Sequence, residues 1–196
     1  TTAQFTLDEP TIQAVVNDTD TVQMDVGMFA TPQLFDVDGD GDLDLLIGER
    51  NGNVNYYRLL DPAPEQMWEL VNDSIGGFSV AEYWNVTGYS VPFMYLNNED
   101  QRELVVGTES GWIHQYNNIE GNIDGVWNLV DSTWQDVREG KNTAVALHDF
   151  NGDNYLDGVI GNYRGGISYW RNDFASAVEN LQGTTNEQAF TLMPNP

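Results

Sequence analysis

The chain has no cysteine, so neither a disulfide nor a thiolate-held metal contributes to it. Basic side chains are scarce. Seven Lys and Arg stand against thirty-one Asp and Glu, a formal charge of −24 over 196 residues. That balance argues against nucleic acid and anionic membrane surfaces as partners and makes cations the natural ones. No apolar run approaches the roughly 20 residues that a membrane-spanning helix needs, so no membrane insertion is expected. Only two histidines occur, His114 and His148, each on a strand-like segment where a hydrogen-bonded structural role is the expectation. Gly-x-Ser-x-Gly, phosphate-loop and His-Glu-x-x-His patterns are all missing, and no enzymatic activity is expected. The opening Thr1, with no secretory leader ahead of it, reads as the start of a processed piece of a longer protein.

What the chain does have is enough apolar surface for a core, 40% hydrophobic and 12% aromatic residues, with abundant Gly, Asn and Asp. Such a mixture favours short strands and tight turns over helices. The densest signal is the acidic loop 36–44. Asp36, Asp38, Asp40, Asp42 and Asp44 put five carboxylates into nine residues, and charges that close repel strongly unless a cation sits among them.

The spacing selects Ca2+. Acids at loop positions one, three and five (Asp36, Asp38, Asp40), a turn-forming Gly41 at six, the Asp42 carbonyl at seven and Asp44 at nine form a set of hard oxygen ligands. Position twelve is Ile47 rather than the bidentate Glu of an EF-hand, which excludes that motif. Apolar stretches at 33–35 and 43–48 flank the loop, so it reads as the connection of a β-hairpin held shut by the ion. The loop 149–157 restates the pattern with Asp149, Asn151, Asp153 and Asp157 as side-chain ligands and the Tyr155 carbonyl at seven. Asn154 stands in for the Gly, since Asn also enters the left-handed region. One charge fewer predicts weaker binding there.

Internal similarity organises the rest. An acid, an apolar triplet and a Gly recur at 44–48, 103–107 and 157–161, followed each time by a glycine turn, a β-branched residue and aromatics. The glycines Gly48, Gly107 and Gly161 are 59 and 54 residues apart. A short strand precedes each unit, near 31–35, 91–96 and 143–148. Trp68 and Trp127 centre a further strand behind the first two, with weaker candidates at 4–7 and 189–192. Four strands per period predict an all-β chain of about three four-stranded antiparallel β-propeller blades, an incomplete propeller. The blades are expected within residues 1–182, with repeats around 30–71, 90–130 and 143–172. Residues 173–181 suggest a short helical turn, and 183–196 a linker. The middle loop, 95–103, has Tyr95 in place of the first acid, Asp100 in place of the Gly and an added Arg102, so no ion is expected there.

The two Asp-rich loops with their apolar triplet and Gly resemble FG-GAP (VCBS-type) repeats, the calcium-loop blades of integrin α-subunit heads and many bacterial surface proteins. The resemblance is specific at 36–48 and 149–161, framework-level in the middle repeat, and reduced to Phe29-Ala30-Thr31-Pro32 and Ser90-Val91-Pro92 at the name-giving motifs. It implies a secreted or cell-surface protein that binds Ca2+ and mediates adhesion or glycan or protein binding. It also implies further blades, from the same chain or a partner, because three cannot close a propeller. The terminal Pro194-Asn195-Pro196 resembles the opening of a type 9 secretion sorting signal. Two alternatives stand beside this reading: the propeller part of a polysaccharide-degrading enzyme, and a secretion cargo or spacer without a ligand. Trp84, Tyr89, Trp112, Trp134 and Tyr163 are the candidate sugar-stacking residues, whereas Tyr57, Tyr116, Trp68, Trp127 and Trp170 are expected in the core.

Overall fold

The computed structural model describes residues 12–16, 20–61 and 67–172. The proposed strands at 4–7 and 189–192, the helical turn at 173–181 and the segment 183–196 lie outside them. Thirteen strands and two 3-10 turns occur among the described residues, with no α-helix. The order is β1 (Gln13–Val16), β2 (Asp20–Gln23), β3 (Thr31–Phe35), β4 (Asp44–Gly48), β5 (Val54–Asp61), β6 (Met67–Asn72), β7 (Val91–Leu96), β8 (Arg102–Gly107), β9 (Ile113–Asn117), β10 (Asn128–Asp131), β11 (Ala144–His148), β12 (Asp157–Gly161) and β13 (Ile167–Trp170).

They form three sheets: β2-β1-β6-β5-β4-β3, β10-β9-β8-β7 and β11-β12-β13. The expectation of about three four-stranded antiparallel sheets needs correcting at the first. The first sheet has six strands and is mixed, because the β1–β2 hairpin adds to its edge with β1 parallel to β6, Ala14 opposite Trp68. The third has three strands among the described residues. What the sheets share is an antiparallel meander in one register, with Gly48, Gly107 and Gly161 opposite Thr31, Val91 and Ala144.

Alternation of side chains along these strands sends one set to each face and packs the sheets upon one another. Leu46, Val54 and Tyr56 of the first sheet meet Met94, Leu104, Val106 and Tyr116 of the second, with Trp127 completing the layer. Val105 and Ile113 on the second sheet's other face meet Val145, Leu147 and Ile160 of the third. Tyr57 and Trp68 fill a smaller cluster on the outer face of the first sheet, and Trp170 packs against the second junction. The five core aromatics therefore lie where their repeated positions predict. Residues 79–89 contain no strand.

Candidate metal centre

The loop between β3 and β4 gathers the oxygens of Asp36, Asp38 and Asp40 to within 4.8 Å of one another. Backbone N–H groups hold each acid in place. Gly39 and Gly41 donate to the two oxygens of Asp36 at 2.7 and 3.2 Å, Asp40 to Asp38 at 3.2 Å, and Asp42 to Asp40 at 2.9 Å. Gly39 and Gly41 can do so because both take positive φ, 84° and 95°. Asp44 plays a different part. It is fully buried and its carboxylate accepts from Val37 N (3.1 Å), Leu59 N (3.0 Å) and the Tyr56 hydroxyl (3.1 Å), tying the loop to β5. Burial pushes its pKa above 3.8, opposed by the two N–H groups, and burial likewise raises that of Tyr56.

The loop between β11 and β12 repeats these bonds one for one. Gly152 and Asn154 donate to the two oxygens of Asp149 at 2.7 and 2.8 Å, Asp153 to Asn151 Oδ1 at 2.9 Å, and Tyr155 to Asp153 at 2.8 Å. Asn154 adopts φ 69° in place of the glycine. Asp157, also fully buried, accepts from Phe150 N, Asn172 N and the Tyr169 hydroxyl at 3.2, 2.9 and 2.9 Å. The N–H groups of Asn154, Gly152 and Asp153 hold the Asp149 carboxyl below its ordinary 3.8. Asn151 also donates its amide to Asp153 Oδ2 at 2.9 Å, a bond that the acid Asp38 in the first loop does not offer.

The middle loop is built from other bonds. Asn97 accepts the N–H groups of Glu99 and Gln101, and Glu103, where the buried acid would stand, accepts from Tyr95, Asn97 and Gln115 at 2.7, 2.9 and 2.7 Å. An ion pair adds to these bonds: Arg102 Nη1 meets Glu120 at 2.8 Å. Arg102 Nε donates to the Asp36 carbonyl at 3.1 Å, so this loop reaches the acidic one. Sequence reasoning missed that contact, and it missed the hydroxyls of Tyr56 and Tyr169, each twelve residues after its acid.

Of the candidate sugar-stacking aromatics, Trp84 and Tyr163 are exposed at 66% and 79%. Tyr83 joins Trp84 in an edge-to-face pair with centroids 4.4 Å apart. The other candidates are engaged within the fold. Tyr89 packs on Phe29 at 4.7 Å, Arg138 covers Trp112 at 5.1 Å, and Trp134 packs against the second junction. His114 Nδ1 lies 3.4 Å from the Tyr116 hydroxyl, and His148 meets Phe150 edge-on at 5.2 Å.

Oxygens bound to one Ca2+ at about 2.3–2.6 Å lie at most about 5 Å apart, so the 4.8 Å cluster fits a single coordination sphere. Asp36, Asp38 and Asp40 would hold such an ion, which would supply positive charge and cross-link the loop. No family model, curated protein or solved structure matches this chain. The fold is all-β, and the loop at one hairpin corner brings together an acidic triad with the oxygens that could hold a cation.

Proposed function

We propose that this chain is a noncatalytic, calcium-stabilised segment of a β-propeller of the FG-GAP/VCBS type, part of a secreted or cell-surface protein that binds a glycan or protein ligand. One observation carries the reading: two loops at the same place in two sheets share the same N–H to side-chain bonds, with a carboxylate cluster within 4.8 Å in the first. Asp36, Asp38, Asp40 and the Asp42 carbonyl are assigned to one ion, and Asp149, Asn151, Asp153 and the Tyr155 carbonyl to a second, weaker one. Asp44 and Asp157 close each loop from inside. The exposed Tyr83–Trp84 pair supports a glycan ligand, because flat apolar ring faces match the C–H faces of sugars.

Metal content and thermal unfolding in calcium and in EDTA test the metal. At a calcium concentration about 100 times Kd, one site adds about 2.7 kcal/mol, which for a chain of this size raises Tm by about 5–10 °C. A Tm unchanged by chelation would overturn the reading. A glycan array on wild type and Trp84→Ala tests the ligand, and binding indifferent to that substitution removes the aromatic pair from it.

A further inference from the structure

Both junctions between sheets are made alike. At the first, the N–H groups of Tyr89 and Ser90 donate to the carbonyls of Arg50 and Glu49, both at 3.1 Å. At the second, those of Asn142 and Thr143 donate to Glu109 and Thr108 at 3.2 and 3.1 Å. Tyr89 and Asn142 both have positive φ, 48° and 52°, which turns the two N–H groups toward the preceding sheet. The contact is tight at the strand glycine: a Cβ on Gly48 would overlap the Ser90 carbonyl oxygen, and one on Gly107 the Thr143 carbonyl oxygen.

The third sheet carries the receiving half of this junction, and among the described residues no sheet packs on it. A Cβ on Gly161, the matching glycine, meets no atom within 4 Å. Ile167 matches Val54 and Ile113, each 0% exposed, yet is itself 73% exposed. The first sheet carries the donating half. Phe29, φ 64°, precedes Ala30 as Tyr89 precedes Ser90, and Arg50 N donates to Met28 O as Glu109 N donates to Gly88 O, at 3.0 and 2.7 Å. Leu34, at the place of Met94 (1%) and Leu147 (8%), is 55% exposed.

We propose that the open face of the third sheet docks the first sheet of a second copy of this chain. Phe29 and Ala30 of that copy donate to the carbonyls of Tyr163 and Asn162, with Leu34 and Ile167 buried in the contact. This rests on reading the three sheets as successive copies of one unit, and it is independent of the metal. Such a contact is heterologous: copies close into a ring if the rotation permits and otherwise extend as a filament.

Sedimentation velocity of the full chain over a concentration series, in calcium and again in EDTA, tests it. Mass is expected to rise with concentration in wild type. Ile167→Glu and Leu34→Glu each leave one live surface, so each alone is monomeric while their equimolar mixture forms a dimer and nothing larger. Should either variant melt below wild type, Gly161→Glu and Met28→Glu replace them. A wild type still monomeric at about 1 mM, the weak end of association, overturns the proposal. So does an unaltered self-association of Leu34→Glu, which would signify a tail-to-tail dimer, or a mixture that stays monomeric. Association that persists while chelation leaves Tm unchanged refutes the metal reading alone, and a monomer with a normal calcium response refutes this one alone.

Discussion

Asp44→Asn separates two jobs that an acid in the first loop can do. The Asp44 carboxylate is buried beneath Val37 N, Leu59 N and the Tyr56 hydroxyl, all within 3.1 Å. A carboxamide keeps one acceptor oxygen and turns an NH2 toward the remaining donors. Bonds to a charged group contribute about 1.5–3 kcal/mol each, and a stranded buried donor costs about 1–3 kcal/mol. The neutral amide recovers part of this, since burial already opposes the ionised form and raises the Asp44 pKa. A net loss of about 2–3 kcal/mol remains, or about 4–12 °C in Tm at about 2–4 °C per kcal/mol. The assay is thermal unfolding in EDTA, where no ion contributes. Asp38→Asn is the contrast: its carboxylate holds only Asp40 N, at 3.2 Å, so its Tm in EDTA stays near wild type and only the calcium increment shrinks. An Asp44→Asn protein that melts with wild type in EDTA and differs only in calcium would refute the division, making Asp44 a ligand and nothing more.

Three further substitutions probe the sheets. Burial pushes His114 below its ordinary 6.5, and Glu82 and Asp131 pull it only partly back. As pH falls through 6.5 the unfolded chain therefore takes up a proton first, and stability drops from there down to the folded pKa. His114→Gln should flatten that slope in urea melts recorded between about pH 7 and about pH 5, and a surviving slope would point to another group. Gly107→Ala forces a methyl onto the Thr143 carbonyl and should cost about 1–3 kcal/mol in urea unfolding. Gly161→Ala has open space before it and should stay within about 0.5 kcal/mol of wild type, so equal effects at the two positions would contradict the geometry.

The strand framework was legible because apolar triplets between an acid and a Gly are local signals, and 44–48, 103–107 and 157–161 each lie in a central strand. The loops were legible for the same reason, with Asn154 in a left-handed conformation as its substitution for Gly requires. Long-range pairing was not. Nothing in Gln13–Val16 announces that β1 joins β6 in parallel, because register between distant strands is set by packing and not by the strand's own residues. The hydrogen-bond partners of Asp44 were hidden too. Spacing places it ninth in a ligand series, but its donors come from Leu59 and Tyr56 on the neighbouring strand, visible only once β4 and β5 pair. Exposure of aromatics was read half correctly: Trp84 projects, whereas Trp134 turns in against the second junction.

Arg102 offers the first loop a positive charge without answering its need for one. Its guanidinium is committed at both ends, Nη1 to both Glu120 oxygens at 2.8 and 3.0 Å and Nε to the Asp36 carbonyl at 3.1 Å. The Arg102 N–H and side chain hold Glu120 below its ordinary 4.5, so the pair satisfies itself. The backbone carbonyl of Asp36 is fixed, but no bond from Arg102 reaches a carboxylate of Asp36, Asp38 or Asp40. Those oxygens sit within 4.8 Å of one another. Like charges about 4 Å apart repel by about 1 kcal/mol in water and about 4 kcal/mol near a protein surface, and three such pairs converge here. The N–H groups of Gly39, Gly41, Asp40 and Asp42 orient the acids and lower part of that cost, yet they also keep the oxygens facing one another. A loop that used Arg102 as its counter-charge would turn its carboxylates toward the guanidinium; this one keeps them within 4.8 Å of one another, close enough for one cation to bridge all three.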